Sequence, residues 1–584
     1  MASRIGPSNF FLTFSGGFSN IGKTEPLRVA STYSARKQKL NINVSAGGTT
    51  PTPESEPSWP RQDLDFPDKF AIEYEQKIEE IRQVLQSKGE DDVCECLVLV
   101  DAIQRVGLSS YYEQEIETIL RKLYVSSCSC MYGYYNLHDV SLFFRLLRQH
   151  GHCISAGKDG RFRRNLSQDI RGLVELYEAA QLSVEGEHIL DEAASFSSHL
   201  LRECLPEMDN DLSIMITGKL RHPHHKTVAR LTRKDFLQDF EGINGWEKTL
   251  RELAVMDLRK GQSVFQGELV QVSKWWNELG LEKMLKLVRN QPPKWYTWSM
   301  SILIDDFSLS LQRVALTKSI AFVYLIDDIF DVVGTLDELT IFTEAVNKAL
   351  LDTTNAIGLD IYKRHGLDPI NSLKASWANL CNAFLVEAKW LASGDLPAAD
   401  RYLENGKVTT GAYVVLVHVF FLLDLGKEGA IHLNNVLPLI SNVATILRLS
   451  DDLGNAEDEH QDGRDGSYVE CYRKDHRGLS KAQARRHVID TIASKWKSLN
   501  KECFCRLNHF SAAPFKRAAL NGARMVPLMY GYDDNQRLPV LEEPLSLFSS
   551  IDEETGVLAI YELQPVDMVS CVFGYPKIYG SPYI

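Results

Sequence analysis

The sequence has little of what a nucleic-acid-binding protein or a membrane protein requires. Its 64 Lys and Arg residues are outnumbered by 77 Asp and Glu residues, which gives a formal net charge of −13. Nucleic-acid binding needs clustered positive charge to neutralise phosphates, so this balance argues against such a partner. The longest apolar run, residues 412–423, is shorter than the roughly 20 residues that cross a bilayer. We therefore expect neither a nucleic-acid partner nor a membrane partner.

Cysteine spacing argues against a structural zinc protein. Three C-x-C pairs lack the C-x-x-C spacing and the partnered histidines of a zinc site; they are Cys94/Cys96, Cys128/Cys130 and Cys503/Cys505. His224 and His225 are adjacent, and adjacent residues of a helix point in different directions. In a long acidic chain without a secretory signal, we expect reduced thiols rather than disulfides.

The first fifty residues differ in composition from the rest of the chain. They contain seven serines and six Lys or Arg residues but a single acid, Glu25. This composition is typical of an organelle transit peptide, and plastid and mitochondrial signals share it. A disordered N-terminus is the alternative. We expect residues 1–50 to be a transit peptide, and the Pro-, Glu- and Ser-rich residues 50–60 to be a linker.

From Asp68 onward the hydrophobic pattern has the period of an α-helix. Apolar residues recur at three- and four-residue spacing, as in Ile78, Ile81 and Val84, whereas the alternation of a half-buried strand is scarce. The predicted fold class is therefore all-α. A chain of 584 residues exceeds one domain, and a second helical block begins near residues 275–281. Glycines indicate breaks between helices; they are Gly107, Gly151, Gly172 and Gly186.

The first acidic motif follows the apolar residues 320–326. Asp327, Asp328 and Asp331 form a D-D-x-x-D pattern. Positions i and i+4 of a helix lie within about 40° of each other, so Asp327 and Asp331 share a face. Carboxylates this close repel one another unless a hard cation neutralises them. The pattern indicates a metal site, and a solvated helix end is the alternative.

A second acidic motif follows the apolar residues 443–449. Asp451, Asn455 and Glu459 are spaced i, i+4 and i+8, which places three oxygen ligands along one helical face. Oxygen ligands suit Mg²⁺, which shares its coordination sphere with substrate phosphates. Two such helices facing each other could hold a diphosphate between several magnesium ions.

Two arginines are candidates for binding an anionic substrate. An arginine fork binds phosphate oxygens in a bidentate manner and keeps its charge. Arg448 lies three residues before Asp451, on the same side of the helix. Arg289 precedes the second helical block's aromatic segment. We expect both arginines to bind the substrate, with a surface salt bridge as the alternative for each.

These motifs resemble those of the plant terpene synthases. The resemblance rests on Asp-Asp-Ile-Phe-Asp from Asp327, Gly-Thr-Leu-Asp-Glu-Leu from Gly334 and Arg-Leu-Ser-Asp-Asp-Leu-Gly from Arg448. The N-terminal segment from Phe143 to Gly151 is also similar to the family. The likeness spans roughly residues 60–544, far more than a chance motif match.

The resemblance implies an organisation and a metal site. It implies a plastid transit peptide (residues 1–50), an inactive N-terminal helical domain (60–280), a class I catalytic domain (281–544) and an atypical tail (545–584). The catalytic domain would bind three magnesium ions, with manganese as a substitute. The ligands implied are Asp327, Asp331, Asp451, Asn455 and Glu459, and Arg289 and Arg448 would complete the diphosphate site; Asp327, Asp331 and Arg289 are the expected catalytic residues.

Two departures from the family pattern point to an acyclic product. The tandem-arginine motif associated with cyclisation is absent, and Trp59-Pro60-Arg61-Gln62 occupies its place. The family's Arg-x-Arg appears as Arg289-Asn290-Gln291. Both features are similar to the subfamily that makes acyclic alcohols such as linalool and nerolidol.

Two further departures bear on activity. The second motif has Asn455 where the family has Ser, Thr or Gly, and its amide oxygen is still a possible ligand. A family segment of roughly eighteen residues, about five helical turns, is missing between Val346 and Leu350. A catalytically impaired splice form is therefore one alternative function.

The expected reaction is the conversion of geranyl diphosphate to linalool by a monomeric plastid enzyme. Trp298 and Tyr530 are candidates for lining the cavity, because aromatic faces stabilise cations, although core packing explains them equally well. The alternative substrate is farnesyl diphosphate, which would give (E)-nerolidol. A chain-elongating prenyltransferase would need a second full D-D-x-x-D cluster, and residues 451–459 do not form one.

Overall fold

The computed structural model describes residues 68–91, 93–130, 136–152, 154–156, 168–239, 245–281, 290–331, 336–423, 433–458, 467–504 and 513–530. The predicted transit peptide, the linker, the tail, Arg289 and Glu459 lie outside these residues. In the described part of the chain all regular secondary structure is helical and no strand occurs, which confirms the all-α prediction.

The first half of the chain forms helices that break at predictable residues. They are α1 (Asp68–Asp91), α2 (Val93–Arg105), α3 (Glu113–Cys130), α4 (Leu137–Gln149), α5 (Ile170–Ala180), α6 (His188–Cys204), α7 (Asn210–Arg221), α8 (Ala229–Asp239) and α9 (Gly245–Leu279). Gly107, Gly151 and Gly186 have positive φ and lie between helices, as predicted. The break predicted at Gly172 is wrong, because Asp169 caps α5 by accepting a hydrogen bond from the Gly172 N–H (2.8 Å).

The second half of the chain carries both acidic motifs. Its helices are α10 (Pro292–Ile302), α11 (Ser310–Asp331), α12 (Leu336–His365), α13 (Ile370–Ser393), α14 (Ala399–Thr409), α15 (Ala412–Leu422), α16 (Leu433–Asp458), α17 (Tyr468–Asp475), α18 (Lys481–Phe504) and α19 (Ala513–Tyr530). The first motif lies at the C-terminal end of α11, and the second lies in the last turns of α16.

The long helix α9 contributes to two separate hydrophobic cores. Its first half packs Trp246 and Leu250 with helices α1 to α4. Its second half packs Phe265 and Trp276 with the helices of the second half of the chain. One continuous helix of 35 residues therefore links the two cores.

Buried polar contacts fasten the first half of the chain to the second. The Arg230 guanidinium donates to the carbonyl of Gly107 (2.9 Å) and to the carbonyl of Ile304 (2.8 Å). The ring of His225 hydrogen-bonds the Asn500 amide oxygen at 2.8 Å. Because these groups are buried, they would cost free energy without partners.

Within the part of the chain that the structure describes, one helical stretch is long and apolar enough to meet the length and hydropathy criteria of a membrane span. It is Phe307–Phe330, which includes most of α11, and 61% of the tested window is buried within the protein. The bent pair α14 and α15 meets the same criteria when its two helices are counted together.

The cysteines agree with the expectation of reduced thiols. Six described cysteines are not part of a disulfide bond: Cys94, Cys96, Cys204, Cys381, Cys471 and Cys503. Burial raises the pKa of the Cys503 thiol to about 12, so this thiol is protonated at neutral pH.

Candidate active site

Helix α11 presents its first two aspartates differently. The helix is anchored in the large core by Phe322 and Leu325, which are buried completely or nearly so. Asp327 is half-buried, whereas Asp328 is 6% exposed. Because consecutive residues on a helix point about 100° apart, packing one of the pair inward leaves the other nearer to solvent. Asp331 is the last residue of α11, and its side chain lies outside the described residues.

A buried charge cluster fixes α11 against α9 and α10. Arg313 on α11 donates to both carboxylate oxygens of Glu268 on α9, at 2.7 and 2.9 Å. The Tyr296 hydroxyl on α10 donates to the same carboxylate at 2.7 Å. Burial and the Glu268 charge raise the pKa of Tyr296 well above its ordinary value. This arrangement holds the helix that carries the first acidic motif in a defined position.

The second motif is organised by Arg448. Its guanidinium donates to Asp451 (2.6 Å) and to Asp452 (2.8 Å), three and four residues further along α16. Burial by itself would lower the pKa of Arg448, but Asp452, Tyr402 and Asp451 raise it well above its ordinary value. Arg448 therefore keeps its charge in the site.

Asp452 is held inside the protein, whereas Asp451 is not. Asp452 accepts hydrogen bonds from the Tyr402 hydroxyl (3.1 Å) and from the Tyr468 N–H (2.9 Å), and its side chain is 2% exposed. The Asp451 side chain is 25% exposed. The more exposed aspartate of the pair is the one that the spacing of the motif selects as a ligand.

The bent pair of helices α14 and α15 contacts both acidic helices. A Cβ on Gly411, which has φ +73°, would lie 2.3 Å from a methyl carbon of Val323, one turn before Asp327 on α11. A Cβ on Gly406 would lie 2.8 Å from Cδ of Arg448 on α16. Helices α14 and α15 are bent by 43° relative to each other. Two glycines therefore let a single bent element approach both motif-bearing helices closely.

Glu387 on α13 is a half-buried acid that sequence reasoning missed. Its carboxylate accepts hydrogen bonds from Thr409 (2.9 Å) and Asn405 (3.2 Å), both on α14. Burial raises its pKa, although the Arg448 charge acts in the opposite direction. One turn earlier on α13, Phe384 stacks on Phe330 of α11. No spacing rule links residue 387 to either motif, so only the folded chain brings it here.

The predicted aromatic residues occupy different environments. Trp298 is buried, and its indole N–H donates to the Tyr324 hydroxyl at 3.0 Å. Tyr324 lies one turn before Asp327 on α11, so Trp298 is close to the first motif. Tyr530 is the last residue of α19 and packs half-buried against the large core.

The structure describes only part of the predicted metal-ligand set. Among the five predicted ligands, the side chains of Asp327 and Asp451 are described, whereas those of Asp331, Asn455 and Glu459 are not. Within the described residues, no three His, Cys, Asp or Glu side chains form a metal cluster. The two predicted ligands that are described, Asp327 and Asp451, are partly exposed carboxylates, and this donor chemistry suits Mg²⁺.

Family models match both halves of the chain. The model for the terpene synthase N-terminal domain matches residues 56–222. The model for the terpene synthase family metal binding domain matches residues 277–498, which include both acidic motifs.

Named relatives match most of the chain. A chloroplastic tricyclene synthase from Antirrhinum majus is 55% identical over 503 residues, which cover 81% of this chain and 86% of the relative. A chloroplastic S-(+)-linalool synthase from Arabidopsis thaliana is 42% identical over 539 residues, 86% of this chain and 91% of the relative.

A solved structure has the same architecture. Isoprene synthase from grey poplar leaves, in complex with three Mg²⁺ ions and dimethylallyl-S-thiolodiphosphate, superimposes with a TM-score of 0.75 at 29% identity. The match covers 83% of this chain and 98% of that structure. It confirms the fold class, all-α with two helical domains. Together with the relatives and the family models, it shows that this chain belongs to the terpene synthase family.

Proposed function

We propose that the chain is a plastid monoterpene synthase that converts geranyl diphosphate to linalool. The observation that carries the proposal is the shared contact of α11 and α16 with the bent pair of helices α14 and α15. Two helices with acidic motifs are held against one element, beside a large apolar core. An anionic group could bind at the acidic end while a hydrocarbon chain is kept from water.

The residues present fit a magnesium site. Asp327, Asp331, Asp451, Asn455 and Glu459 would hold Mg²⁺, for which we propose three ions, and Mn²⁺ could replace it. When bound, the metal supplies positive charge that stabilises the departing diphosphate. Asp452 and Arg448 hold each other in place, which keeps the Asp451 carboxylate in a fixed orientation on α16.

The chain's own residues would act on both parts of the substrate. Arg448 and Arg289 would bind diphosphate oxygens through their guanidinium forks. Trp298 and Tyr530 would offer aromatic faces to the allylic cation that remains after the C–O bond breaks, without offering a good nucleophile. Water that adds to the tertiary carbon would then give linalool.

The proposal of an acyclic product rests on the small number of arginines available to bind the diphosphate. Gln291 and the absence of tandem arginines leave fewer positive groups to hold the released diphosphate near the cation. Cyclisation of a geranyl cation needs the diphosphate to return and ionise again after bond rotation, so weak retention favours early water capture. The linalool synthase relative supports this product. Farnesyl diphosphate as substrate would give (E)-nerolidol.

A cyclic monoterpene is the second candidate product. It is favoured by the 55% identity to a tricyclene synthase, which is higher than the 42% identity to the linalool synthase. The chloroplastic names of both relatives support the proposed plastid location. We also propose a monomer, with the N-terminal domain over residues 60–280 and the catalytic domain over residues 281–544.

A product assay tests these proposals. The purified chain is incubated with geranyl or farnesyl diphosphate and Mg²⁺, Mn²⁺ or excess chelator, and the products are separated by chiral gas chromatography. We expect linalool from geranyl diphosphate, no product with chelator, and recovery when metal is restored. A cyclic main product would overturn the linalool assignment but not the family. No product under any condition would favour an impaired splice form.

A further inference from the structure

Lys294 on α10 faces the helix that carries the first acidic motif. Its ammonium lies 5.3 Å from the ring centroid of Tyr324 on α11, within the range of a cation–π contact. Both residues are half-buried. A positive group is therefore placed on the surface between α10 and α11.

Two features hold this lysine in place. Helix α10 starts with Pro292 and Pro293, whose rings fix the backbone in the first turn. One turn after Lys294, the Trp298 indole donates to the hydroxyl of the same tyrosine at 3.0 Å. Lys294 and Trp298 thus contact opposite parts of one side chain, and the position of the ammonium relative to α11 is restrained.

The restrained position is close to the acidic end of α11. Tyr324 and Asp327 are three residues apart and share a helical face, with about 4.5 Å of axial rise between them. Gln291, at the N-terminal end of α10, is 7% exposed and carries no charge. Lys294 is the charged residue of α10, and it contacts α11 about one turn before the first motif.

We propose that Lys294 binds the diphosphate group of the substrate. The proposal rests on the proposed function, in which a prenyl diphosphate occupies the acidic end of the site. A lysine ammonium is a compact charge with three donors and is well suited to phosphate oxygens. Neutralisation of Asp327 and Asp328 is the competing role, and it makes a different prediction for diphosphate binding.

The test compares charge-removing and charge-keeping variants of the full chain. We expect Lys294→Gln to raise KM for geranyl diphosphate, and the inhibition constant of inorganic diphosphate, about tenfold or more. Lys294→Arg should keep both within about threefold of wild type because it keeps the charge. The matched control is Lys318→Gln on α11, where a lysine contacts Trp275 at 5.4 Å nine residues before Asp327. It should change neither constant by more than about twofold.

The outcomes separate this inference from the proposed function. Unchanged diphosphate inhibition in Lys294→Gln, with or without a lower thermal midpoint, would overturn it and assign Lys294 to the Tyr324 contact alone. If the wild type makes no terpene, the proposed function fails. Calorimetric titration of inorganic diphosphate in the presence of Mg²⁺, into wild type and Lys294→Gln, still decides the inference. Equal affinities overturn it, and a tenfold difference supports it.

Discussion

Two clusters of arginine and carboxylate side chains in this protein differ in how far their carboxylates are exposed to solvent. In the first half of the chain, Arg145 is fully buried between Asp101 and Glu175, and Arg105 donates to Asp101 at 2.8 Å. In the second half, Arg448 binds one buried aspartate, Asp452, and one partly exposed aspartate.

The two clusters differ in whether a ligand can reach their carboxylates. The carboxylates of the first cluster are enclosed by arginines of the same domain, so the cluster has little access for a ligand. Burial raises the pKa of Glu178, a neighbour of this cluster that is 0% exposed. In the second cluster a carboxylate at a helix end keeps access to solvent. We therefore propose that the first cluster contributes to stability and that the second takes part in the reaction.

Replacement of Asp327 should produce the largest effect on activity. Asp327→Ala removes a carboxylate that the metal site needs, so we expect kcat to fall at least about a thousandfold, or about 4 kcal/mol. The helical circular dichroism and thermal midpoint should stay unchanged, because loss of one clustered negative charge does not open the core. Asp360→Ala, at an exposed ion pair on α12, is the control. Wild-type turnover by Asp327→Ala would refute the first metal site.

Replacement of Arg448 should affect activity and stability together. Arg448→Met leaves Asp452 buried without its cation, so we expect a loss of about 2–4 kcal/mol in the free energy of unfolding. We also expect kcat/KM to fall at least about a hundredfold, because a diphosphate contact is lost. Denaturant titration and steady-state kinetics measure the two effects. A stability loss with normal kinetics would make Arg448 a structural residue like Arg145.

Replacement of Arg145 should affect stability alone. Arg145→Met leaves Asp101 and Glu175 without their buried partner, which costs about 3–5 kcal/mol. At a temperature where the variant remains folded, kcat should match wild type. The control is Arg121→Met, whose exposed pair with Glu117 contributes less than about 1 kcal/mol. A kcat defect in folded Arg145→Met would contradict the division between the clusters.

A buried histidine should give the smallest effect, a pH dependence of stability. Burial lowers the pKa of His418 to about 4, from 6.5 for an exposed histidine. The unfolded chain thus binds the proton more tightly, and the stability contribution is fully present above about pH 6.5. It is lost as the pH falls towards 4, by up to about 3 kcal/mol. The thermal midpoints of wild type and His418→Phe, measured between pH 7 and 4, test this pH dependence of stability. Parallel curves of midpoint against pH would show that His418 does not cause it.

Much of the fold and part of the candidate site could be predicted from local patterns. Apolar residues at helical spacing predict the helices from Asp68 onward, because burial of one face requires that period. The spacing of Asp327 and Asp331 places both on one face of a single helix for the same reason. The motif around Arg448 also correctly predicted that this arginine and Asp451 lie on the same side of α16.

Contacts between distant helices could not be predicted in this way. Helical spacing determines which residues of one helix share a face, but not what that face meets. The positions of Glu387, Gly406, Gly411 and Tyr324 in the site depend on helices that are far apart in the sequence. The enclosure of Asp452 likewise needs Tyr402 and Tyr468 from two other helices.

The sequence by itself determined the all-α class, the family and the two acidic helix ends, because each depends on residue type and spacing along one chain segment. Only the tertiary structure decided which aspartate of each adjacent pair is buried. It also decided that the bent pair of helices α14 and α15 contacts both acidic helices and that Lys294 contacts Tyr324 on α11. Burial and close approach are properties of several helices packed together, and the free energy of that packing is not encoded in any one of them.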